Sequence, residues 1–407
     1  MDTRTVSLTQ TVKASPEEVY RNFTNATALR EWLCDAALAL PHPGGRLYLS
    51  WNHGYSTSGE YTLNQPGEKV AFSWQGRGEP APTRVQVDLA AQDGGTRVTL
   101  EHSGIGSGDE WEKAYHEIQE GWQTGLENLA SILETGEDPR FVRRPMLGIL
   151  LENFDAKVAQ EMGLPVTEGI RLGGTLEGMG AHAAGLQKND VIVSMGGQPQ
   201  TDYNSLTVLL QQQHAGDEVE VVYYRGSEKR TVPLRFSKRP IPEIPETAEG
   251  LGEAVREINA EVEARLDQFL EGVTEEEASF KLSSNDWSIK ENIAHLLQGE
   301  RYNHFYIAEL VFGEERFSDG YGDNLNAQVA ATADAYPTLR DLREELRRNS
   351  AETVGMLSRL AKEFGDRKAS YWRLAYGMLQ PQYHLDTHIE QMQGTLDAAR
   401  EAAGAVK

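Results

Sequence analysis

The sequence predicts a multi-domain α+β protein, and three observations lead there. A chain of 407 residues exceeds the size at which a single hydrophobic core keeps growing. Two polar, proline-bearing stretches, EDPRFVRRP and SKRPIPEIPETAEG, interrupt it. Strand-like runs dominate before the second interruption and long helical patterns follow it, so mixed and all-helical segments are in sequence rather than interleaved.

The first segment, residues 1–137, begins with alternation over residues 5–13. Ser15, Pro16 and Glu18 then supply a capping box with proline at the first helical position. Two short helices are expected at EEVYRNF and ATALREWL. The runs RLYLSW, GEYTL, KVAFSW, RVQVDL and TRVTLEH follow, separated by turn residues at the spacing of an antiparallel meander. From Asp109 the period changes: Trp111, Tyr115, Ile118, Trp122, Leu126, Leu129 and Leu133 recur in steps of three and four, which makes one long amphipathic helix. Strand, two helices, meander and closing helix describe a helix-grip fold. The opening SPEEVYRNFTNATALREWL and the ending GWQTGLENLASIL resemble the START-like superfamily, in its branch related to the activator of the heat-shock protein 90 ATPase. That resemblance implies a pocket for an apolar small molecule, or a chaperone-related role with a client. Trp51, Trp74 and Trp122 either line such a cavity or are plain core, since aromatic residues on a sheet face are more often core.

The second segment, residues 145–238, carries the strand-like runs MLGILL, GGTLEG, DVIVSMGG, EVEVVYY and KRTVPLRF. Helices are expected at AHAAG and over about 202–214. The phrase GMGAHAAGLQKNDVIVSMGGQPQTDYNSLTVLL resembles a PDZ domain of the bacterial protease-associated type, a small β-sandwich or barrel with two helices. Asn189 stands where a glycine usually precedes Asp190, Gly196 and Gly197 replace Asn-Gly, and Gly180 with Ala181 replaces Gly-Pro. The glycines accept the same left-handed turn conformations. The resemblance implies that Met146, Leu147, Gly148 and Ile149 form a loop whose N–H groups hold the C-terminal carboxylate of a protein partner. Leu206, Leu209 and Leu210 would then form a pocket for an apolar last residue, or else fill the domain's own core.

The third segment, residues 246–402, shows four helical patterns, at about 248–272, 287–312, 338–364 and 381–402, with Pro381 suited to the first turn of the last. Four long helices with polar connections describe a bundle. Glu291 and His295 share one face of the second helix, whereas His304, nine positions beyond His295, points away. His384 and His388, four apart, share a face of the last helix. Two imidazoles from one helix and a third from a neighbour can build a three-nitrogen site with open coordination positions. A divalent metal there would keep its charge uncompensated, so a bound water or thiol loses its proton more readily. Trp287, Ser288, Glu291 and His295, with His384, His388 and Gln391, resemble the DinB-like four-helix bundle superfamily. That resemblance makes His295, His384 and His388 the metal ligands and implies chemistry on or with a small thiol. Glu291 is a candidate general base or outer-sphere group, and zinc, nickel, iron and manganese stay open.

The charge excludes some partners. Acidic residues outnumber basic ones 62 to 39, a net charge of −23, and 31 acidic against 17 basic residues follow Pro240. Such a balance opposes nucleic-acid phosphates and anionic membrane surfaces. There is no apolar run of membrane-spanning length, no phosphate-binding glycine loop with its lysine, no HExxH and no serine-nucleophile elbow. Cys34 is the sole cysteine, expected as a buried small hydrophobe, and the start MDTRTVSLTQ lacks the apolar stretch of a signal peptide, so a cytoplasmic location is expected. Two functions are compatible with these features. One is a metal-dependent thiol transferase or hydrolase with peptide- and ligand-binding accessory domains. The other is a non-enzymatic stress-response adaptor, binding protein C-termini through the second domain and an apolar ligand or client through the first. No feature identifies an oligomer interface.

Overall fold

The structure is a computed structural model. It describes every residue except 1–2, 284–285, 317–324, 381–382 and 406–407, and the side chains of 383, 384 and 405. The chain divides into two compact units, Met1–Phe23 with Trp32–Ile241, and Thr24–Glu31 with Pro242–Lys407.

In the N-terminal part the elements are β1 (Thr3–Val12), α1 (Pro16–Thr24), α2 (Ala26–Trp32), β2 (Ala36–Ala39), β3 (Arg46–Ser50), β4 (Ser56–Gln65), β5 (Lys69–Gly76), β6 (Thr83–Gln92), β7 (Gly95–Gly106) and α3 (Glu112–Thr135). The seven strands form one antiparallel sheet in the order β1-β7-β6-β5-β4-β3-β2. Strand alternation decides its inner face: Val85, Val87, Val98 and Leu100 are fully buried, and α3 buries the expected stripe of Ile118, Trp122, Leu126, Leu129 and Leu133. Gly136, in the left-handed conformation at φ 84°, ends α3. The helix-grip architecture is as the periodicity predicts. β2 escaped the sequence reading because AALA carries no alternation of its own. Cys34 is buried, as expected.

Next come α4 (Pro139–Val142), β8 (Ile149–Glu152), α5 (Ala156–Glu161), β9 (Ile170–Thr175), α6 (Gly180–Ala183), β10 (Val191–Met195), β11 (Gln198–Pro199), α7 (Tyr203–Gln211), β12 (Glu218–Arg225) and β13 (Glu228–Arg235). The second sheet has the order β13-β12-β10-β9-β8, with β11 paired to β10, so β8 is an edge strand. Its core gathers Leu147, Ile170, Leu172, Leu186, Ile192, Met195, Val221 and Leu234. Asp190, fully buried, is held by Arg225 through two bonds of 2.8 and 2.7 Å, which compensates its charge.

The second unit contains α8 (Ala248–Leu270), α9 (Glu275–Ser279), α10 (Ile289–Phe312), α11 (Leu325–Ala335), α12 (Leu339–Leu357), α13 (Lys362–Gly365), α14 (Lys368–Met378) and α15 (Tyr383–Ala405). The four long helices match the four predicted patterns, with a shorter third. α11 and α14 occupy stretches the sequence reading left as connections. Two apolar clusters fill the bundle, one around Leu266, Ile293, Leu297, Leu342 and Met392, the other around Leu251, Val255, Leu310, Leu357 and Leu374. Thr24–Glu31, which the sequence reading places in the first domain, clusters with this unit. There Arg30 and Arg373 both reach the Glu315 carboxylate, at 3.0 and 2.6 Å. No helix among the described residues is long and apolar enough to cross a membrane.

Candidate metal centre and peptide groove

Ser288 starts α10. Its hydroxyl accepts from the Glu291 N–H at 3.2 Å, and Glu291 Oε2 accepts in return from the Ser288 N–H at 2.8 Å and its hydroxyl at 3.0 Å. The other carboxylate oxygen accepts from Lys281 Nζ at 2.6 Å. Burial by itself would raise the Glu291 carboxyl, but the Lys281 and Ser288 hydrogen bonds outweigh it and hold the group below the usual carboxylate range. The sequence reading offered Glu291 as a base or outer-sphere group; the structure engages both of its oxygens in the helix cap and an ion pair.

One turn further along α10 stands His295, its ring centroid 4.9 Å from that of His388 on α15, with 60° between the planes. Trp287 lies 4.9 Å from His295 and stacks within 20° of the His388 plane at 6.4 Å. His388 is 6% exposed, and its Nδ1 lies 2.8 Å from Asn292 Oδ1. The Asn292 amide is oriented by its own donor, since Nδ2 donates to the Ser288 carbonyl at 3.0 Å. Its oxygen therefore faces the imidazole, the His388 proton resides on Nδ1, and Nε2 carries the ring's lone pair. His384 precedes His388 by four residues in α15, and its side chain lies outside the described residues, as does Pro381. Among the described residues no group of three histidine, cysteine, aspartate or glutamate side chains gathers as a metal site. His304 faces elsewhere, with Nε2 at 3.0 Å from Thr353 Oγ1 and 3.2 Å from the Asn349 carbonyl.

Two residues of this centre escaped sequence reasoning. Asn292 and Lys281 carry no local signal, because the partner of the first lies 96 positions away and that of the second 10 positions away.

In the second domain the structure sorts the predicted groove residues. The Met146 N–H donates to the Ser237 carbonyl at 2.9 Å, so Met146 leaves the donor set. Leu147 and Gly148 have their carbonyls bonded by Ala181 and Leu176, while their N–H groups meet no acceptor among the described residues. Gly148 sits at φ 76°, with Met179 filling the place of a Cβ, so the turn requires glycine. Ile149 opens the edge strand β8. Leu206 and Leu209 are 3% and 1% exposed and pack in the domain core, while Leu210 and Ile149 are half-buried at its margin. A leucine spacing along one helix reports burial and does not tell core from groove.

Comparison with known proteins agrees with this architecture. A family model described as Activator of Hsp90 ATPase homolog 1-like protein matches residues 13–134, one described as PDZ domain matches 145–235, and one described as DinB superfamily matches 259–392. The three models match successive stretches of one chain. A curated relative described as "Probable periplasmic serine endoprotease DegP-like", from Marinomonas sp. (strain MWYL1), is 24% identical over 165 residues, 39% of this chain and 35% of that protein. The chain thus spans about a third of that relative's length. Similar solved structures include MLL2253 from Mesorhizobium loti, at 24% identity over 32% of this chain and 97% of that one, with a TM-score of 0.30. Others are PFC0360w, an HSP90 activator from Plasmodium falciparum, at 24% over 32% and 95% with 0.29, and the Aha1 dimer from Colwellia psychrerythraea, at 23% over 32% and 96% with 0.29.

In the Hsp90-activator-like domain, the three tryptophans have their indole N–H groups satisfied inside the domain. Trp51 donates to the Leu33 carbonyl at 2.6 Å, Trp74 to the Tyr55 hydroxyl at 3.2 Å, and Trp122 to His102 Nδ1 at 3.0 Å. His102 is fully buried, and burial pushes it down to about 4. It is a neutral imidazole that donates from Nε2 to Thr83 Oγ1 at 2.7 Å. With Trp74 and Trp122 at 5% and 3% exposure, this cluster has the character of a packed core.

Proposed function

We propose that the DinB-type bundle holds one divalent metal ion through His295, His384 and His388 and acts on a small thiol there, while the PDZ domain recruits a protein partner. The observation that carries the reading is the pairing of His295 with His388, whose tautomer Asn292 fixes with its lone pair on Nε2. An imidazole so held meets the requirement of a ligand before any metal arrives. When bound, the metal would supply Lewis acidity that lowers the pKa of a coordinated thiol. Trp287 shields the two rings on its side, and Glu291 fixes the start of α10, from which both Asn292 and His295 project. The residues present are compatible with zinc, nickel, iron or manganese.

The test is elemental analysis of the full chain beside a His384→Ala/His388→Ala double variant, after exchange into metal-free buffer and reconstitution with each of the four metals. About one ion per chain, lost in the variant, is the expected result. No retained metal under any condition sinks the proposal.

The recruiting role is favoured by a separate observation: β8 is an edge strand, and the loop before it offers the Leu147 and Gly148 N–H groups. An extended peptide can add to such an edge and place its carboxylate on such a loop. Peptides with a free C-terminus are expected to bind, and their C-terminal amides to bind at least about tenfold more weakly. Equal binding of both forms would remove the carboxylate from the account. If peptide binding persists in a chain that never retains metal, the adaptor reading replaces the enzyme reading.

A further inference from the structure

The junction on either side of the PDZ domain concentrates positive charge in an otherwise acidic protein. An antiparallel bridge joins Met146 to Ser237, with 2.9 Å hydrogen bonds in both directions, and so brings the two linker segments together. Arg143 and Arg144 precede Met146, and Lys238 and Arg239 follow Ser237. The charge of Arg239 reaches Arg144 at this junction, in a chain whose net charge is −23. Arg144 and Arg239 are both half-buried, and each has a buried Nε that meets no hydrogen-bond partner among the described residues.

The surroundings do not balance these charges. Burial, and after it the charge of Arg239, pushes the Arg144 guanidinium below its ordinary value, with Arg140 adding to the effect. Tyr203 and Asp35 act the other way. Arg140 is already satisfied by Asp138, which it grips with bonds of 2.7 to 3.1 Å. Like charges held near one another repel, and buried polar atoms without partners cost free energy. Both costs are removed together by one anion between the two guanidiniums.

We propose that Arg144 and Arg239 form a binding site for a phosphate-bearing small molecule at the point where the two linkers meet. Two planar guanidinium forks match the tetrahedral oxygens of a phosphate, and two cations favour a dianion over a monoanion.

Calorimetric titration of the full chain with inorganic phosphate, at ionic strength held constant with sodium chloride, tests this. A single saturable site is expected, weakened at least about tenfold in Arg144→Gln and in Arg239→Gln separately. Arg77→Gln, a change at an exposed arginine of the β5–β6 turn, is expected to keep the wild-type affinity. Two variants are used so that misfolding of one, judged by near-ultraviolet circular dichroism, leaves the other as the test. Absence of binding to the wild type, or equal binding by both folded variants, overturns the proposal. Acetate binding as tightly as phosphate overturns the assignment to phosphate.

Discussion

Asn292 and His388, 96 residues apart in sequence, are joined by a 2.8 Å hydrogen bond from the imidazole Nδ1 to the amide oxygen. Because the amide nitrogen is committed to the Ser288 carbonyl, the pair has one arrangement, and the orientation of His388 is inherited from the cap of α10.

Replacing Asn292 by Ala frees the His388 ring to change tautomer and direction. Metal affinity, read by competition with a chelator, is expected to fall about 10- to 100-fold. Asn292→Asp keeps an acceptor for Nδ1 and is expected to restore most of the loss. Unchanged affinity in Asn292→Ala would show that the hydrogen bond plays no part in ligation.

Glu291 is expected to matter for stability and not for metal content. Glu291→Ala leaves Lys281 and the Ser288 N–H without their carboxylate and is predicted to cost about 1–3 kcal/mol in denaturant unfolding. The metal-to-protein ratio should stay that of the wild type. A variant with full stability but no turnover would return Glu291 to the role of a base.

The buried His102 makes the first unit sensitive to acid. Its folded value, about 4, lies below the ordinary 6.5, so the unfolded chain binds the proton more readily. Stability from this group is complete above pH 6.5 and is lost as pH falls towards 4, by about 3 kcal/mol over that window. His102→Gln can still accept from Trp122 and donate to Thr83, so the slope between pH 6.5 and 4 should flatten. An unchanged slope would place the proton uptake elsewhere.

Gly148→Ala combines a left-handed backbone at φ 76° with a Cβ that would sit 2.1 Å from that of Met179. It should destabilise the PDZ domain by more than about 1 kcal/mol and weaken peptide binding. Gly163→Ala imposes comparable strain at φ 65° in open space, so it is the control and should cost less. Equal losses in the two would show that the Met179 contact yields.

Much of the fold was legible because its signals are local. Alternation marked the strands of the first sheet, and helical patterns marked α3 and the four long helices. α11 and α14 were missed: AATADA and KASYWRLAYGM lie in polar surroundings, and their helical form depends on the cores around Val329 and Leu374 that they join. Leu206 and Leu209 show the same limit in another form, since their spacing announced a buried face and only the packed domain assigned that face to its core.

By itself the sequence determined the order of three domain types, their strand and helix periods, the strong acidic balance, and the histidine spacing that points to a metal. Tertiary structure decided which of these residues meet. It set His295 against His388, gave Asn292 the orientation of the ring, engaged Glu291 in a helix cap, tied the Met146 N–H to Ser237, and brought Arg144 and Arg239 to one junction. The physical reason is that periodicity along a chain reports which face of an element is buried, whereas the partner of a buried polar group is set by chain closure over distances that no local pattern encodes.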